Sequence, residues 1–204
     1  MTPIVKLYES PSPINTREVL RYMGARQDDA QTLRRVLSAI ADLQNRLVYR
    51  TVYAVFPVAV CTSEVSFPFC TVRSVSLATR MQGCTYAVCM AATVGDAPAR
   101  LMERAKDEPL TALAYQAIGS ERIEALCNAL ESDIKTGARR QGYRARPRFS
   151  PGYGDLPLAF QKDMFRVLDC PIKIGLSLRD TLMMTPTKSV SAIIGILPNE
   201  RNTL

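Results

Sequence analysis

An α+β domain with a largely antiparallel, twisted sheet and flanking helices is what this sequence predicts. Three observations carry the prediction. The run from Tyr86 to Val94 is continuous, small and apolar, the mark of a strand buried on both faces. The segments 48–60 and 64–75 are dense in Val, Tyr, Thr and Phe, residues that fit a pleated surface. Residues 109–138 form the longest helical pattern, with Leu113, Ala117, Ile123, Leu126, Leu130 and Ile134 on one side. No internal repeat or long flexible linker divides the chain, so residues 1–204 read as one domain.

The elements follow in order. Residues 1–14 are Pro- and Ser-rich and read as extended. Asn15 or Thr16 caps a short helix that runs to Met23 and stops at Gly24. Asp28 and Asp29 open a second helix, whose apolar stripe is Leu33, Val36, Leu37, Ile40, Leu43 and Leu47. Pro57 marks a strand edge or end, and Pro68 breaks the second β segment. Ser76 to Met81 makes a helical turn closed by Gly83. Gly95 and Asp96 end the buried strand, and Asp96 caps a helix reaching about Ala105. Gly119-Ser120, in the middle of the long helix, predicts either close helix packing or a kink. The mixed charges from Glu121 to Glu131 read as an exposed face. Residues 139–157 read as a loop. Leu158 to Leu168 is a helix with Phe160, Met164, Phe165 and Leu168 facing inward. Met183 to Ser189 is a turn between two strands, and Val190 to Leu197 is the last strand. Met183 and Met184 read as core packing, and Lys188 as solvated surface or a partner contact.

Composition narrows the function. At 204 residues, with 47% hydrophobic and 22% charged content, the chain can build a proper core. Tyr49, Arg50, Glu64 and Arg73 interrupt the most apolar stretch, so no membrane span is expected. The N-terminal segment carries Lys6 and Glu9 and no apolar signal core, which predicts a cytoplasmic protein. The six cysteines form no Cys-x-x-Cys pair and read as reduced, buried small hydrophobes, with Cys84 and Cys89 a candidate regulatory pair. The chain has no histidine. That excludes a Ser-His-Asp triad, a Cys-His pair and His-ligated zinc, and no metal site is expected. The net charge of +7 points to an acidic partner or an anionic ligand. The one dense basic cluster is Arg139, Arg140, Arg144, Arg146 and Arg148.

The candidate site is the run Arg148-Phe149-Ser150-Pro151-Gly152-Tyr153-Gly154-Asp155. Pro151 presets φ and Gly152 tolerates positive φ, so the backbone bends sharply and offers its polar groups to a ligand. Arg148 supplies a planar fork for a carboxylate. Tyr153 supplies a ring face and a hydroxyl. Read alone, the same residues also make an ordinary surface turn, with Asp155 capping the helix at Leu158.

Taken together, several segments resemble the activation domain of cobalamin-dependent methionine synthase. The family pattern is an Arg, three variable residues and Gly-Tyr, then a Met-x-Pro turn leading into a Ser-Val-Ser strand. Here these are Arg148, Gly152-Tyr153, Met184-Thr185-Pro186 and Ser189-Val190-Ser191. Gly83 to Gly95, with Ala91-Ala92-Thr93-Val94-Gly95, and Glu18 to Gly24 look like the free-standing bacterial members. The resemblance covers nearly the whole chain. Each motif is weak alone; their order and spacing are specific.

The resemblance implies an activation-domain fold and a reactivation subunit for a cobalamin-dependent methyltransferase. In the family, S-adenosylmethionine binds beside the corrin, and an electron from flavodoxin or another reductase permits methyl transfer to oxidised, inactive cobalamin. Carried onto this chain, Arg148 would hold the methionyl carboxylate and the backbone of Phe149 and Ser150 would contact the adenine. Gly152 would give close approach, and Tyr153 would face the cobalamin and act as the catalytic-site residue. The ammonium group needs an acid; Asp155, Glu18 and Asp96 are the candidates. A tyrosine in the last strand of the long enzymes is replaced near Ile193 or Ile194. The chain lacks the Asp-x-His-x-x-Gly signature of a cobalamin module, so the corrinoid must come from a partner, a separate methionine synthase core. Service to another corrinoid methyltransferase remains an alternative. So does a basic nucleic-acid module using Arg139 to Arg148, though no nucleic-acid motif is present.

Overall fold

The computed structural model describes residues 2–26 and 29–199. The chain runs β1 (Ile4–Tyr8), α1 (Thr16–Tyr22), α2 (Ala30–Leu43), β2 (Tyr49–Pro57), β3 (Ala59–Val60), β4 (Glu64–Phe67), β5 (Cys70–Arg73), α3 (Val75–Met81) and β6 (Tyr86–Thr93). It continues with α4 (Ala97–Arg104), α5 (Pro109–Arg140), β7 (Tyr143–Ala145), α6 (Phe160–Leu168), α7 (Cys170–Ile174), β8 (Ser177–Leu178), β9 (Met184–Thr185) and β10 (Ser189–Pro198). The main sheet has the order β1-β2-β6-β10-β7, and every neighbouring pair is antiparallel. Two small sheets, β3-β4-β5 and β8-β9, lie beside it. The α+β, antiparallel prediction therefore holds.

β6 occupies the centre because its side chains suit burial on both faces. Val88, Met90 and Ala92 face α5, where they meet Leu126, Cys127 and Leu130. Ala87, Cys89 and Ala91 face the opposite core with Met164, Phe165 and Leu168 of α6 and Ile174 of α7. Alternate residues of a strand point to opposite faces, so this one run serves two cores. A third core joins α1, α2, α4 and α5 through Val19, Leu20, Val36, Leu43, Ala97 and Ile118.

Several local expectations match the structure. Asn15 caps α1, accepting from Glu18 N–H, and Asp29 caps α2, accepting from Gln31 and Thr32 N–H. Asp28 lies outside the described residues. Pro57 ends β2, and Pro68 stands in the turn between β4 and β5. Gly119 resolves in favour of close packing: a Cβ there would stand 2.9 Å from Pro98 Cβ and 3.0 Å from Lys188 Cγ.

The extended reading of the N-terminal segment holds where it forms β1, a sheet strand held by β2. Other expectations are corrected. Leu37 and Leu113, assigned to apolar stripes, are exposed. Asp96 stands at the start of α4 without capping it through its side chain, and pairs instead with Arg100 at 3.1 Å. The expected loop 139–157 begins with the last turn of α5 and contains β7, which pairs with β10. The Glu121–Glu131 stretch is not an exposed face: Glu121, Arg122 and Glu131 are buried. Arg122 binds both oxygens of Glu121 and donates to the carbonyls of Ser12 and Pro13, tying the N-terminal segment to α5. Cys61 is exposed and Cys70 half-buried; Cys84, Cys89, Cys127 and Cys170 are buried, and all six are free thiols. Among the described residues no helix is long and apolar enough to cross a membrane.

Candidate functional site

The Arg148–Asp155 run follows β7 and is anchored to β10 by a two-way backbone bridge. Phe149 N–H donates to Ile193 O, and Ile193 N–H donates to Phe149 O, both at 2.8 Å. The chain then turns. Tyr153 N–H reaches Ser150 O at 3.3 Å, and Gly152 N–H reaches Leu156 O at 2.9 Å. Gly152 adopts φ +91°, a conformation that side-chain-bearing residues rarely accept. Leu156, buried in the α6-side core, pins the far end of the turn.

This loop forms one wall of a cavity of about 460 Å³. Arg148, Phe149, Ser150, Pro151 and Tyr153 come from the loop; Met184 comes from β9, and Ser189, Val190 and Ser191 from β10. Arg80 of α3, Glu124 of α5 and Gln161 of α6 complete the lining. The two sequence motifs, more than thirty residues apart, thus meet around one space. Its size is that of a small-molecule site. Tyr153 is 66% exposed and stands at the rim. The Arg80 guanidinium lies 4.6 Å from the Phe149 ring centre, a cation over an aromatic face.

Arg148 turns toward α5. Its Nη1 donates to Asn128 Oδ1 and Glu131 Oε2, both at 2.7 Å, and its Nη2 donates to Glu124 Oε2 at 2.6 Å. Burial works against its charge, but the Glu131 and Glu124 carboxylates outweigh that and hold its pKa up. Burial also works against Glu131, and its bonds to Lys135 and Arg148 overcome it, keeping the carboxyl below its ordinary value. Three of the five guanidinium N–H donors are committed to these oxygens, which leaves two for another acceptor.

The candidate acids fall elsewhere. Asp155 is outside the cavity lining and caps α3, not the helix after Leu158. It accepts from Ser74 Oγ at 2.6 Å, Val75 N–H at 2.7 Å and Ser76 N–H at 3.0 Å. The Ser74 hydroxyl, with the Ser76 and Val75 amides, holds its carboxyl far below the usual range. Gly152 shapes the turn without lining the cavity. Glu18 pairs with Arg21, and Asp96 with Arg100. The acid that does line the cavity is Glu124, which the sequence reading missed. Its signal was the helical spacing of Glu124, Asn128 and Glu131, which puts three oxygen-bearing side chains on one stripe of α5.

Met183 is exposed, while Met184 lines the cavity and packs on the α6-side core. Lys188 is half-buried, not solvated: its Nζ donates to Ser120 Oγ at 2.8 Å, and burial lowers its pKa. Ser189 Oγ lies 2.8 Å from Thr93 Oγ1 and 2.7 Å from Pro186 O, which locks the start of β10 to β6. The arginine cluster is divided: Arg148 is bound to α5, and Arg146 Nη2 donates to Gln82 O at 3.1 Å.

Comparison with known proteins gives the family. A solved structure described as "Crystal Structure of the MetH Reactivation Domain bound to AdoHcy" matches with a TM-score of 0.69. The two are 14% identical, and the match covers 98% of this chain and 80% of that one. At that identity the likeness establishes the fold. A search of curated proteins finds no match. The sequence pattern of one family, described as "Vitamin B12 dependent methionine synthase, activation domain", matches residues 78–202, more than half of the chain. That span takes in both motifs that line the cavity, and the chain belongs to the activation-domain family of vitamin B12-dependent methionine synthase.

Proposed function

We propose that the chain binds S-adenosylmethionine in this cavity and supports reductive methylation of cobalamin held by a separate methionine synthase core. The observation that carries the reading is the convergence of the Arg148–Tyr153 loop, Met184 and Ser189–Ser191 on one space. The related fold whose description names AdoHcy supports an adenosyl ligand.

The donor set fits that ligand. The two uncommitted N–H groups of Arg148 suit the methionyl carboxylate. Glu124 gives Oε2 to Arg148, and its carboxylate suits the ammonium in place of Asp155. Phe149 N–H is spent on Ile193, so its ring and its carbonyl's second lone pair are what it offers the adenosyl group. Tyr153, at the rim, would face the partner's corrinoid. Bound S-adenosylmethionine supplies the methyl group, and a reductase of the acidic flavodoxin kind supplies the electron. The contribution of this chain is orientation and exclusion of water, which needs no acid–base residue.

Calorimetric titration with S-adenosylhomocysteine tests the site. Arg148→Ala also strips Glu131 and Glu124 of their partner, so Arg148→Lys is the cleaner variant: it keeps the charge and loses the fork. A loss of affinity on the order of tenfold or more is expected. Unchanged affinity refutes the assignment. For the function, the protein is mixed with the core in its cob(II)alamin form, S-adenosylmethionine and a reductant. Appearance of the methylcobalamin spectrum only when the protein is present is expected; no dependence on it refutes the reading.

A further inference from the structure

Buried polar atoms in folded proteins nearly always have hydrogen-bond partners, so the exceptions carry information. Among the described residues two buried side-chain atoms lack one: Gln161 Oε1 and Ser191 Oγ. Gln161 is 5% exposed and Ser191 2%. They come from different elements, α6 and β10, 30 residues apart in sequence. Yet both line the same cavity, the one framed by the Arg148–Tyr153 loop. Two unrelated packing defects have no reason to coincide there. Two ligand-facing groups do.

The chemistry of the pair differs from the rest of the lining. Glu124 and Arg148 supply formal charge of both signs, suited to the zwitterionic end of an amino-acid ligand. A carboxamide and a hydroxyl are neutral, and a buried neutral site reads neutral polar edges. Gln161 Oε1 is an acceptor and needs an N–H donor. The other half of the same carboxamide is a donor. Together they match the N6/N7 edge of adenine, a donor beside an acceptor, where Gln and Asn pair bidentately and where a 6-oxo base presents two acceptors that neither orientation of the amide can match. Phe149 N–H is taken by Ile193 O, so that backbone donor does not read the base. The neighbours of Gln161 on α6, Phe160 and Met164, are packed in the core, which holds the helix and fixes the position of the amide.

We propose that Gln161 is the residue that selects adenine, through the 6-amino group of the base, and that Ser191 pairs with the same adenosyl moiety. The proposal rests on reading the cavity as the S-adenosylmethionine site and assigns the base end of it. Gln161→Met removes the amide at nearly constant volume, and Ser191→Ala removes only the hydroxyl. Neither leaves a new unpaired group.

The test compares S-adenosylhomocysteine with S-inosylhomocysteine, whose base carries a 6-oxo group in place of the 6-amino group. Both are titrated calorimetrically into the wild-type protein and both variants. The wild type should prefer the adenosyl compound on the order of tenfold or more, since a site built for a donor rejects a ligand lacking it. Gln161→Met should weaken the adenosyl compound and leave the inosyl compound nearly unchanged, so that the preference collapses. Ser191→Ala should weaken both alike. The ratio of the two affinities within one variant does not depend on how much of it is folded. A preference that survives in Gln161→Met overturns the proposal, as does a wild type that binds both equally. A wild type that binds neither overturns the site reading itself, and the proposal with it.

Discussion

Arg122→Met should be among the most damaging single substitutions in this chain, although it lies outside the cavity. The Arg122 side chain is fully buried and that of its neighbour Glu121 nearly so, at 7% exposure. Arg122 holds both Glu121 oxygens, at 2.5 and 2.6 Å, and donates to Ser12 O at 2.6 Å and Pro13 O at 3.1 Å. The variant leaves a carboxylate with only the Asn15 N–H at 3.2 Å, and two carbonyls without that donor. Breaking a buried pair from one side costs about 3–5 kcal/mol. With a urea slope of about 2–3 kcal/mol/M, the unfolding midpoint should fall by roughly 1–2 M. Adding Glu121→Gln should recover part of the loss, because no buried charge is then left unpaired. Urea unfolding of all three proteins at neutral pH is the assay. A single variant within about 1 kcal/mol of wild type, or a double variant no better than the single, refutes the reasoning.

Two further outcomes are expected. Gly119→Ala gains helix propensity of about 1 kcal/mol, but its Cβ meets the rigid Pro98 ring at 2.9 Å, and overpacking costs about 1–3 kcal/mol. A lowered thermal midpoint is expected, and a raised one would show that α4 and α5 separate freely. Asp155→Asn should flatten the acid limb of the stability curve. The Asp155 carboxyl is held low by the Ser74 hydroxyl and the Ser76 and Val75 amides, so its contribution is present above the unfolded value of about 3.9 and lost as pH falls below it. Equal acid sensitivity in wild type and variant, followed by circular dichroism from pH 6 to pH 2, would contradict this.

What the sequence made legible was local. The cap at Asn15, the inward stripe of α6 and the two-faced strand β6 all follow from residue type and spacing within a few positions. What it hid was set by distant partners. Glu121, Arg122 and Glu131 look like surface charges until Ser12, Pro13 and Arg148 are placed against them, and Ser12 is 110 residues from Arg122. Asp155 caps a helix about 80 residues earlier in the chain, while the nearer helix was the natural guess. Glu124 escaped notice for the same reason: its place at the cavity depends on where the loop lands on β10. β7 and α7, with three and five residues, are too short to show a period. The cavity's motifs were legible because they are contiguous; its orphan Gln161 was not, because a single Gln on an amphipathic helix carries no pattern.

The bridge between Phe149 and Ile193 bears on which changes this loop can absorb over evolutionary time. It is made of main-chain atoms alone, so it is indifferent to the side chain at either position. A substitution at Ile193 or Ile194 therefore leaves the loop where it is. Length is another matter. Consecutive residues in an extended segment point to opposite sides, so one residue inserted or deleted beside Phe149 would exchange the directions of Arg148 and Phe149. The guanidinium would leave the α5 carboxylates, and the ring would leave Arg80. Drift by substitution is open to this loop, whereas drift by indel is closed.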